Sequence, residues 1–295
     1  METVPAKTLL TKNKSTAWFG CEYNMNIYRG CCHGCLYCDS RSACYRIDDF
    51  NNVRTKEDAL RILRDDLSRR RVTGVVATGA MSDPYNPFEK KEQLSRHAAE
   101  LLDAYDFGVA IATKSDLITR DIDVLQSIRS HSPVLCKITV TTADDALAAK
   151  IEPQAPSPTR RLAALETLAK AGLYSGVLLM PVLPFIEDSD ANILDVVEKS
   201  AAAGARFILP FFGVTMREGQ REYFLQGLEK AFPDKGYAQK YTARYGMRYS
   251  CASPRARQLD AVFTEACAKH GLLHRMGDIV SGYRQGYGPR QLSFL

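Results

Sequence analysis

The sequence contains no apolar run that approaches the roughly 20 residues of a membrane-spanning helix. Its first residues, METVPAKTLLTKNK, lack the apolar core of a signal peptide. Its 9 cysteines are odd in number, which does not fit a framework of paired disulfides. These absences exclude a membrane-spanning protein and a disulfide-stapled secreted domain. We therefore expect a cytoplasmic protein with reduced thiols and no membrane partner.

The chain has the size and composition of a globular enzyme. It contains 295 residues, of which 45% are hydrophobic and 25% are charged. A chain of this length buries about three quarters of its unfolded surface, so its core needs neither disulfides nor metals. The cysteines therefore indicate a chemical role rather than a structural one.

Short β-rich runs alternate with helical segments along the first 215 residues. The candidate strands are residues 23–28, 75–78, 109–113, 134–141, 175–181 and 207–212. Between them, apolar residues recur at helical spacing, as at Leu60, Leu63 and Leu67. This alternation predicts an α/β fold with a parallel sheet. Because six units are fewer than the eight of a closed barrel, we expect an open, partial (β/α)6 barrel of TIM type, with its chemistry at the carboxyl ends of the strands.

The positive charge lies in residues 216–295, which we expect to form a mainly helical extension to a catalytic core at residues 1–215. The extension has 13 Lys and Arg against 7 Asp and Glu, whereas the whole chain has a net charge of only +5. Its 7 tyrosines are interleaved with arginines, as in Tyr241, Arg244, Tyr245 and Arg248. Arginine contacts phosphates and tyrosine stacks on bases, so this composition favours binding of DNA or another nucleic acid. The alternative is a helical cap whose tyrosines pack on the barrel.

Three cysteines form the pattern C-x3-C-x2-C at Cys31, Cys35 and Cys38. Three thiolates leave one iron of a [4Fe-4S] cluster without a protein ligand, so that iron is free to bind another group. Gly30 and Gly34 allow the backbone to curl around such a cluster. This pattern is the strongest functional signal in the sequence.

Two other metal sites stay open on the residues alone. A structural zinc site would recruit His33, Cys32, Cys44 or Cys21 as its fourth ligand. A ferredoxin-like cluster would take its fourth cysteine from a different run. A zinc site would fit a nucleic-acid-binding module without catalytic activity.

The cysteine pattern, with the aromatic Tyr37 before the last cysteine, resembles the signature of the radical S-adenosylmethionine (AdoMet) superfamily. The resemblance implies a [4Fe-4S] cluster on Cys31, Cys35 and Cys38, AdoMet bound at the unique iron, and Tyr37 beside it. It also implies reductive cleavage of AdoMet to a 5′-deoxyadenosyl radical, which abstracts a hydrogen atom from the substrate. The electron would come from an external one-electron reductant of the flavodoxin or ferredoxin type.

Five segments in order across residues 20–215 are similar to the spore photoproduct lyase-like branch of that superfamily, whose members are described as DNA repair photolyase relatives. They are NIYRGCCHGCLYCDSRS, TGAMSDPYNP, ATKSDLITRD, KITVTTADD with KIEP, and GVLLMPVLPFIED. The likeness implies a nucleic-acid or nucleotide-like substrate.

The same likeness assigns AdoMet contacts. Ser82 and Asp83 stand where this branch carries a Ser-Asp segment for the AdoMet amino group, and Lys114 matches a lysine that contacts AdoMet. Thr139 and Thr141 lie on the fourth predicted strand, where alternation would turn both hydroxyls toward the same cavity.

Two departures from this branch concern the returned hydrogen atom. Spore photoproduct lyase carries a cysteine two residues before the serine and a tyrosine after the last cluster cysteine, where this chain has Ala80 and Asp39. A thymine radical would lack its expected hydrogen donor here, so the lyase reaction itself is not expected. Cys251 or Tyr85 would have to fold near the site to replace that donor.

The final residues, QLSFL at 291–295, resemble the short peptide by which bacterial DNA-processing proteins dock in the sliding clamp, with the last two residues exchanged. The sequence thus favours a radical AdoMet enzyme that acts on nucleic acid. A radical AdoMet enzyme for a peptide or small metabolite is the second hypothesis, and the non-catalytic zinc module is the third.

Overall fold

The computed structural model describes residues 1–288, so the terminal peptide 291–295 lies outside the described residues. The strands are β1 (Thr3–Val4), β2 (Leu10–Lys12), β3 (Tyr23–Met25), β4 (Tyr28–Arg29), β5 (Arg54–Lys56), β6 (Val75–Thr78), β7 (Gly108–Thr113), β8 (Val134–Thr139), β9 (Ser175–Leu179), β10 (Ile208–Pro210), β11 (Gly213–Thr215) and β12 (Ser250–Ala252). The α-helices are α1 (Ala59–Ser68), α2 (Glu89–Glu92), α3 (Leu94–Ala104), α4 (Ile122–Arg129), α5 (Asp145–Ile151), α6 (Pro158–Lys170), α7 (Asp190–Ala202), α8 (Gln220–Ala231), α9 (Tyr237–Tyr245), α10 (Ala256–His270) and α11 (Met276–Arg284).

The main sheet has seven strands in the order β10-β9-β8-β7-β6-β3-β2. The six strands from β10 to β3 pair in parallel, and β2 pairs antiparallel to β3 at one edge. These six parallel strands are the six that the sequence predicts. The open, partial (β/α)6 barrel is confirmed, and the extension is mainly helical as expected.

Residues on each parallel strand alternate between the barrel interior and the surrounding helices, because successive side chains of a strand point to opposite faces. On β8, Leu135 belongs to the interior hydrophobic cluster with Phe19 and Phe207, whereas Cys136 and Ile138 pack in the larger cluster beneath the helices. Period-two alternation therefore decides which side chains reach the central cavity.

Polar residues start the helices that follow the strands. Ser157 accepts a hydrogen bond from the Arg160 amide, and Pro158 begins α6 immediately after this cap. Ser189 caps α7 in the same way through the Asn192 amide. Among residues 1–288, no helix has both the length and the apolar character that crossing a membrane requires.

The extension packs against the core at four places. Helices α8 and α9 share a hydrophobic cluster with Leu36 and Tyr37 of the cysteine segment, and α10 packs on α7. At the other end of the barrel, the Tyr283 hydroxyl of α11 donates to the Phe19 carbonyl at 2.6 Å. The two-stranded sheet of β11 and β12 also joins residues on either side of position 215.

Candidate active site

A cavity of about 410 Å³ opens at the carboxyl ends of the parallel strands. Its walls come from the cysteine segment and from the residues at the ends of β6, β7, β8, β9 and β10. The lining includes Trp18, Cys31, His33, Cys35, Tyr37, Cys38, Asp39, Gly79, Ala80, Ser82, Asp83, Lys114, Lys137, Thr139, Leu178, Met180 and Phe211. The fold thus brings together eight of the nine site residues predicted from the sequence.

The three cysteines of the C-x3-C-x2-C pattern lie on one tight segment. Gly30 there adopts a φ of +84°, and a Cβ at this position would lie 2.7 Å from the Phe50 carbonyl oxygen, so only glycine fits. The Cys31 amide donates to that same carbonyl at 2.8 Å. The backbone thereby turns all three thiols toward the cavity.

The three thiols are free and close enough to influence one another. Burial raises the pKa of Cys31 to about 12, and it raises the pKa values of Cys35 and Cys38 as well. Each thiol would therefore lose a proton when it binds a metal. Each of these thiols is buried next to the others, so a single group that binds all three thiolates suits the site.

The donor set fits a cluster better than a single ion. No three His, Cys, Asp or Glu side chains among residues 1–288 are placed to hold one metal ion. Zinc, with Zn–S bonds of about 2.3 Å, would require the sulfurs to converge on one point. An iron–sulfur cluster instead binds each thiolate on a different iron. Cys31, Cys35 and Cys38 suit a [4Fe-4S] cluster in this respect.

Ser82 and Asp83, which follow β6, have different roles in the structure. The Ser82 hydroxyl donates to the Gly30 carbonyl at 2.5 Å, which leaves its oxygen lone pairs to accept from a ligand. Asp83 is occupied by protein donors. It accepts from the Thr113 hydroxyl at 2.6 Å and the Lys114 amide at 2.8 Å. Asp83 thus joins the ends of β6 and β7.

Lys114 and Tyr37 meet over a buried carboxylate, Glu152. The Tyr37 hydroxyl donates to Glu152, and the Lys114 Nζ atom lies 3.8 Å from Glu152 Oε1 and 5.5 Å from the Tyr37 ring centre. Burial alone would lower the pKa of Lys114, but Cys35 and Glu152 outweigh it and the pKa is raised. Lys114 is therefore a fixed ammonium at the cavity wall.

The two threonines of the fourth strand separate. Thr139, the last residue of β8, lines the cavity. Thr141 is buried two residues beyond the end of the strand and does not line it. Alternation does not extend past the end of the strand, so Thr141 lies instead beside the buried Glu187.

Four residues outside the nine predicted for the cluster and AdoMet belong to the site. His33 lies with its Nδ1 atom 3.4 Å from Asp83, and burial lowers its pKa. Glu152 is the acid of the KIEP segment. Trp18 and Lys137 also line the cavity. Lys137 could have been identified from the sequence, because it is the one charged residue in the apolar strand VLCKIT.

The candidate hydrogen donors do not reach the cavity. Neither Cys251 nor Tyr85 lines it. The Cys251 thiol is buried and contacts the Arg248 carbonyl at 3.5 Å, whereas Tyr85 lies in the core beneath β6. Ala80 and Asp39, the positions that depart from the lyase pattern, do line the cavity.

The arginine and tyrosine residues of the extension lie on different faces. Tyr241 and Tyr245 are buried in the cluster beneath the cysteine segment, as the alternative interpretation expected. Arg244, Arg248 and Arg257 are exposed and line a groove with no carboxylate in its lining. None of these three forms an ion pair within the described part of the chain.

Arg217 contacts one residue of the cavity and one residue of the extension. Arg217 bonds to Asp39 at the cavity rim at 3.2 Å, and its guanidinium lies 4.6 Å from the ring centre of Tyr249. Tyr249 follows Arg248 of the groove directly in the chain. Arg217 and Tyr249 thus lie next to residues of both the cavity and the groove.

A family model and two relatives match the chain. A model of the radical SAM superfamily matches residues 25–197. An uncharacterised protein of Mycobacterium tuberculosis is 32% identical over 240 residues, which cover 78% of this chain and 70% of that protein. One of Methanocaldococcus jannaschii is 31% identical over 172 residues, which cover 57% of this chain and 63% of that protein.

Solved structures share the fold at low identity. Spore photoproduct lyase complexed with dinucleoside spore photoproduct aligns with a TM-score of 0.65 and 17% identity, over 92% of this chain and 80% of that chain. The radical S-adenosylmethionine methyltransferase TsrM from Kitasatospora setae aligns with a TM-score of 0.56 and 10% identity, over 82% and 51%. Since the family model spans more than half of the sequence, the chain belongs to the radical SAM superfamily, whose members use a [4Fe-4S] cluster and AdoMet.

Proposed function

We propose that this radical SAM enzyme binds its [4Fe-4S] cluster through Cys31, Cys35 and Cys38 and abstracts a hydrogen atom from a base or sugar of a nucleic acid. The observation that carries the proposal is one cavity lined by the three cysteines, by Ser82 and by Lys114, together with an arginine groove on the extension. When bound, the cluster and AdoMet supply an electron and a 5′-deoxyadenosyl radical.

The residues around the cavity are suited to hold AdoMet. The Ser82 oxygen has free lone pairs for an ammonium, and the raised pKa of Lys114 keeps a positive charge for a carboxylate. Thr139 offers a hydroxyl at the end of β8. Asp83 positions the Lys114 backbone, and Tyr37 closes the wall beside the thiols. Thr141 does not line the cavity, so its proposed contact with AdoMet has the least support.

The substrate assignment rests on the path from cavity to groove. Arg244, Arg248 and Arg257 are exposed and free of carboxylate partners, which suits contact with phosphates. Tyr249 and Arg217 lie between them and the cavity and offer a surface for stacking. The spore photoproduct lyase with which the fold aligns is complexed with a dinucleoside photoproduct. A peptide or small metabolite would have no use for this groove, which ranks that alternative second.

The chemistry after hydrogen abstraction differs from that of a lyase with a thiol donor. Ala80 lines the cavity at the donor position, and Cys251 is buried outside it. We therefore expect little or no clean repair of a spore photoproduct. The electron comes from an external reductant, for which a flavodoxin or ferredoxin is the proposed partner, and the site of action is the cytoplasm. A role in DNA repair and clamp docking through residues 291–295 remain proposals from sequence.

The test is anaerobic reconstitution with iron and sulfide, followed by dithionite, AdoMet and an oligonucleotide. We expect a low-potential [4Fe-4S] signal and 5′-deoxyadenosine, and deuterium transfer from a labelled oligonucleotide into that product. The triple variant Cys31→Ala, Cys35→Ala, Cys38→Ala should lose both the signal and the product, while Cys32→Ala, which removes a neighbouring thiol, should keep them. A cluster that survives in the triple variant would sink the ligand assignment, and absence of deuterium transfer from any nucleic acid would sink the substrate assignment.

A further inference from the structure

Lys137 is a buried lysine in the middle of β8, inside the barrel. Its side chain is 2% exposed and lines the cavity. Its neighbours across the sheet are Ala112 and Gly176, whose small size leaves space for the lysine stem. The next interior residue on its own strand, Leu135, belongs to the apolar cluster. A leucine or methionine would fill the position of Lys137 without any buried charge.

The ammonium of Lys137 has no partner that explains its burial. In residues 1–288 it makes no ion pair, and its nearest recorded contact is the Phe19 ring, whose centre lies 4.4 Å from Nζ. Burial lowers its pKa to about 8, and the nearby groups are the thiols of Cys21 and Cys136. A buried ammonium without a hydrogen-bond acceptor is costly to the fold. An acceptor supplied by a ligand would remove that cost.

Apolar and aromatic side chains make up much of the cavity lining around Lys137, and Thr139 lies two residues further along the same strand. The apolar part includes Leu178, Met180, Trp18 and Phe211, and the last two keep 53% and 37% of their surface exposed. The two acids of the cavity are already engaged, Asp83 by Thr113 and Asp39 by Arg217. A ligand that carries an acceptor can therefore pair with the Lys137 ammonium without displacing either acid from its partner.

The shape and charge of this space define the ligand. A phosphate beside Lys137 would lose much of its hydration inside the cavity, whereas the exposed arginines of the groove offer phosphates a hydrated site. A flat ring that carries a carbonyl oxygen meets the walls with its face and the ammonium with its oxygen.

We propose that Lys137 and Trp18 form the pocket for a nucleobase with a ring carbonyl, whose oxygen accepts a hydrogen bond from Lys137 Nζ while the ring stacks near Trp18. The inference rests on the proposed function and specifies the base within its nucleic-acid substrate. Adenine has no carbonyl oxygen and offers the Lys137 ammonium only the ring nitrogens N1, N3 and N7 as acceptors. Because the proposed pocket pairs Nζ with a carbonyl oxygen, we expect discrimination against adenine of about tenfold.

The experiment uses the reconstituted protein and two labelled hexanucleotides, of thymidine and of deoxyadenosine. Anisotropy gives the affinities. Trp18 is the single tryptophan of the chain, so its fluorescence reports entry of a base into the cavity. We expect the thymidine hexamer to quench Trp18 and to bind about tenfold more tightly than the deoxyadenosine hexamer. Lys137→Met should abolish this difference by weakening only the thymidine hexamer, with the salt dependence of binding unchanged.

A measurement of thermal unfolding separates a binding role from a structural one. Lys137→Met removes an unpaired buried charge, so we expect its melting temperature to rise, whereas loss of a structural contact would lower it. Lys137→Gln retains a hydrogen-bond donor without the charge. Its affinity for the thymidine hexamer should therefore lie between those of the wild type and Lys137→Met. This variant replaces Lys137→Met in the binding test if the methionine variant does not fold.

Three results would overturn the proposal. Unchanged preference for thymidine in both variants would show that Lys137 does not contact the base. Equal weakening of both hexamers, or weakening of AdoMet binding instead, would assign Lys137 another role. If the wild type binds neither hexamer, this proposal and the nucleic-acid substrate fail together, whereas binding without preference refutes this proposal alone.

Discussion

Glu152 accepts a hydrogen bond from the hydroxyl of Tyr37, which lies 115 residues earlier in the chain. The same carboxylate lies 2.5 Å from Arg161 Nη2 and 3.8 Å from Lys114 Nζ. Burial would raise the pKa of Glu152, but Arg161 and Lys114 lower it, so the group is ionised. One buried negative charge therefore fixes the Tyr37 ring beside the thiols and attracts two cations, Arg161 and Lys114.

Replacing Glu152 by Gln should destabilise the protein strongly. The change leaves Arg161, which is 1% exposed, and the buried Lys114 without a negative partner. Removal of one partner from a buried ion pair costs about 3–5 kcal/mol, and we expect a loss of that size in the free energy of unfolding measured with urea.

The matched control is Asp116→Asn, which breaks the ion pair with the 60% exposed side chain of Arg160. An exposed pair contributes about 0–1 kcal/mol, so this variant should unfold close to the wild type. If Glu152→Gln lost no more stability than the control, the carboxylate would not be organising the site.

Glu187 should make the stability depend on pH. Burial raises the pKa of its carboxyl to about 8 from an ordinary value of 4.5, against the opposing effects of Thr141 and the Leu183 amide. Between these values the native state keeps a proton that the unfolded state has lost. The free energy of unfolding therefore falls as pH rises from about 4.5 to 8, by up to about 1.4 kcal/mol per pH unit.

Glu187→Gln keeps the acceptor for the Leu183 amide and removes the titration. Urea unfolding of both proteins at pH 5 and pH 8 is the measurement. We expect the variant to gain stability relative to the wild type at pH 8 and little at pH 5. An equal difference at the two pH values would show that Glu187 is not protonated in the native protein.

The parallel strands could be predicted from the sequence because each is a short, nearly continuous apolar run. The ends of the strands were less certain, and Thr141 shows the consequence. A strand that stops at Thr139 no longer alternates its side chains, so Thr141 turns away from the cavity. Local pattern thus predicts strands well and the orientation of residues beyond them poorly.

The spacing of the tyrosines in the extension, unlike their number, indicates which side of the helix is buried. Tyr241 and Tyr245 lie four residues apart on α9, so they share one face of the helix, and that face is buried. Arg244 is exposed on the same helix, and Arg248 is exposed just beyond its end. Pairs such as Tyr37 with Glu152 could not be predicted, because contacts between distant segments leave no local pattern.

Gly79 should tolerate no side chain. It follows β6 with a φ of +93°, and a Cβ there would lie 1.9 Å from the Ala112 carbonyl oxygen. Gly79→Ala must displace the segment that carries Ser82 and Asp83 from β7. A left-handed conformation alone costs alanine about 1–2 kcal/mol, and the backbone clash adds to it, so we expect a loss of more than 2 kcal/mol in urea unfolding together with weaker AdoMet binding.

Gly277→Ala is the control for that change, since Gly277 lies in α11 with open space around it. Alanine favours a helix over glycine, so the variant should match or exceed the wild type in stability by up to about 1 kcal/mol. If both alanine variants behaved alike, the turn after β6 would not require glycine.

The arginine groove should govern the salt dependence of nucleic-acid binding. Arg244 and Arg248 are exposed and without carboxylate partners in the groove, so each is free to contact a phosphate. Loss of a contact with a single strand lowers the slope of log affinity against log salt by about 0.7. Arg244→Gln, Arg248→Gln should therefore reduce the slope by roughly 1.4, measured by anisotropy of a labelled oligonucleotide between low and high salt.

Arg69→Gln, Arg71→Gln gives the matched control, because it removes the same charge from exposed arginines that precede β6 at the opposite end of the barrel. Net charge alone would weaken binding equally in the two double variants. A slope that falls only in the groove variant assigns the phosphate contacts to the extension, whereas equal slopes would show that nucleic acid, if bound, follows another surface.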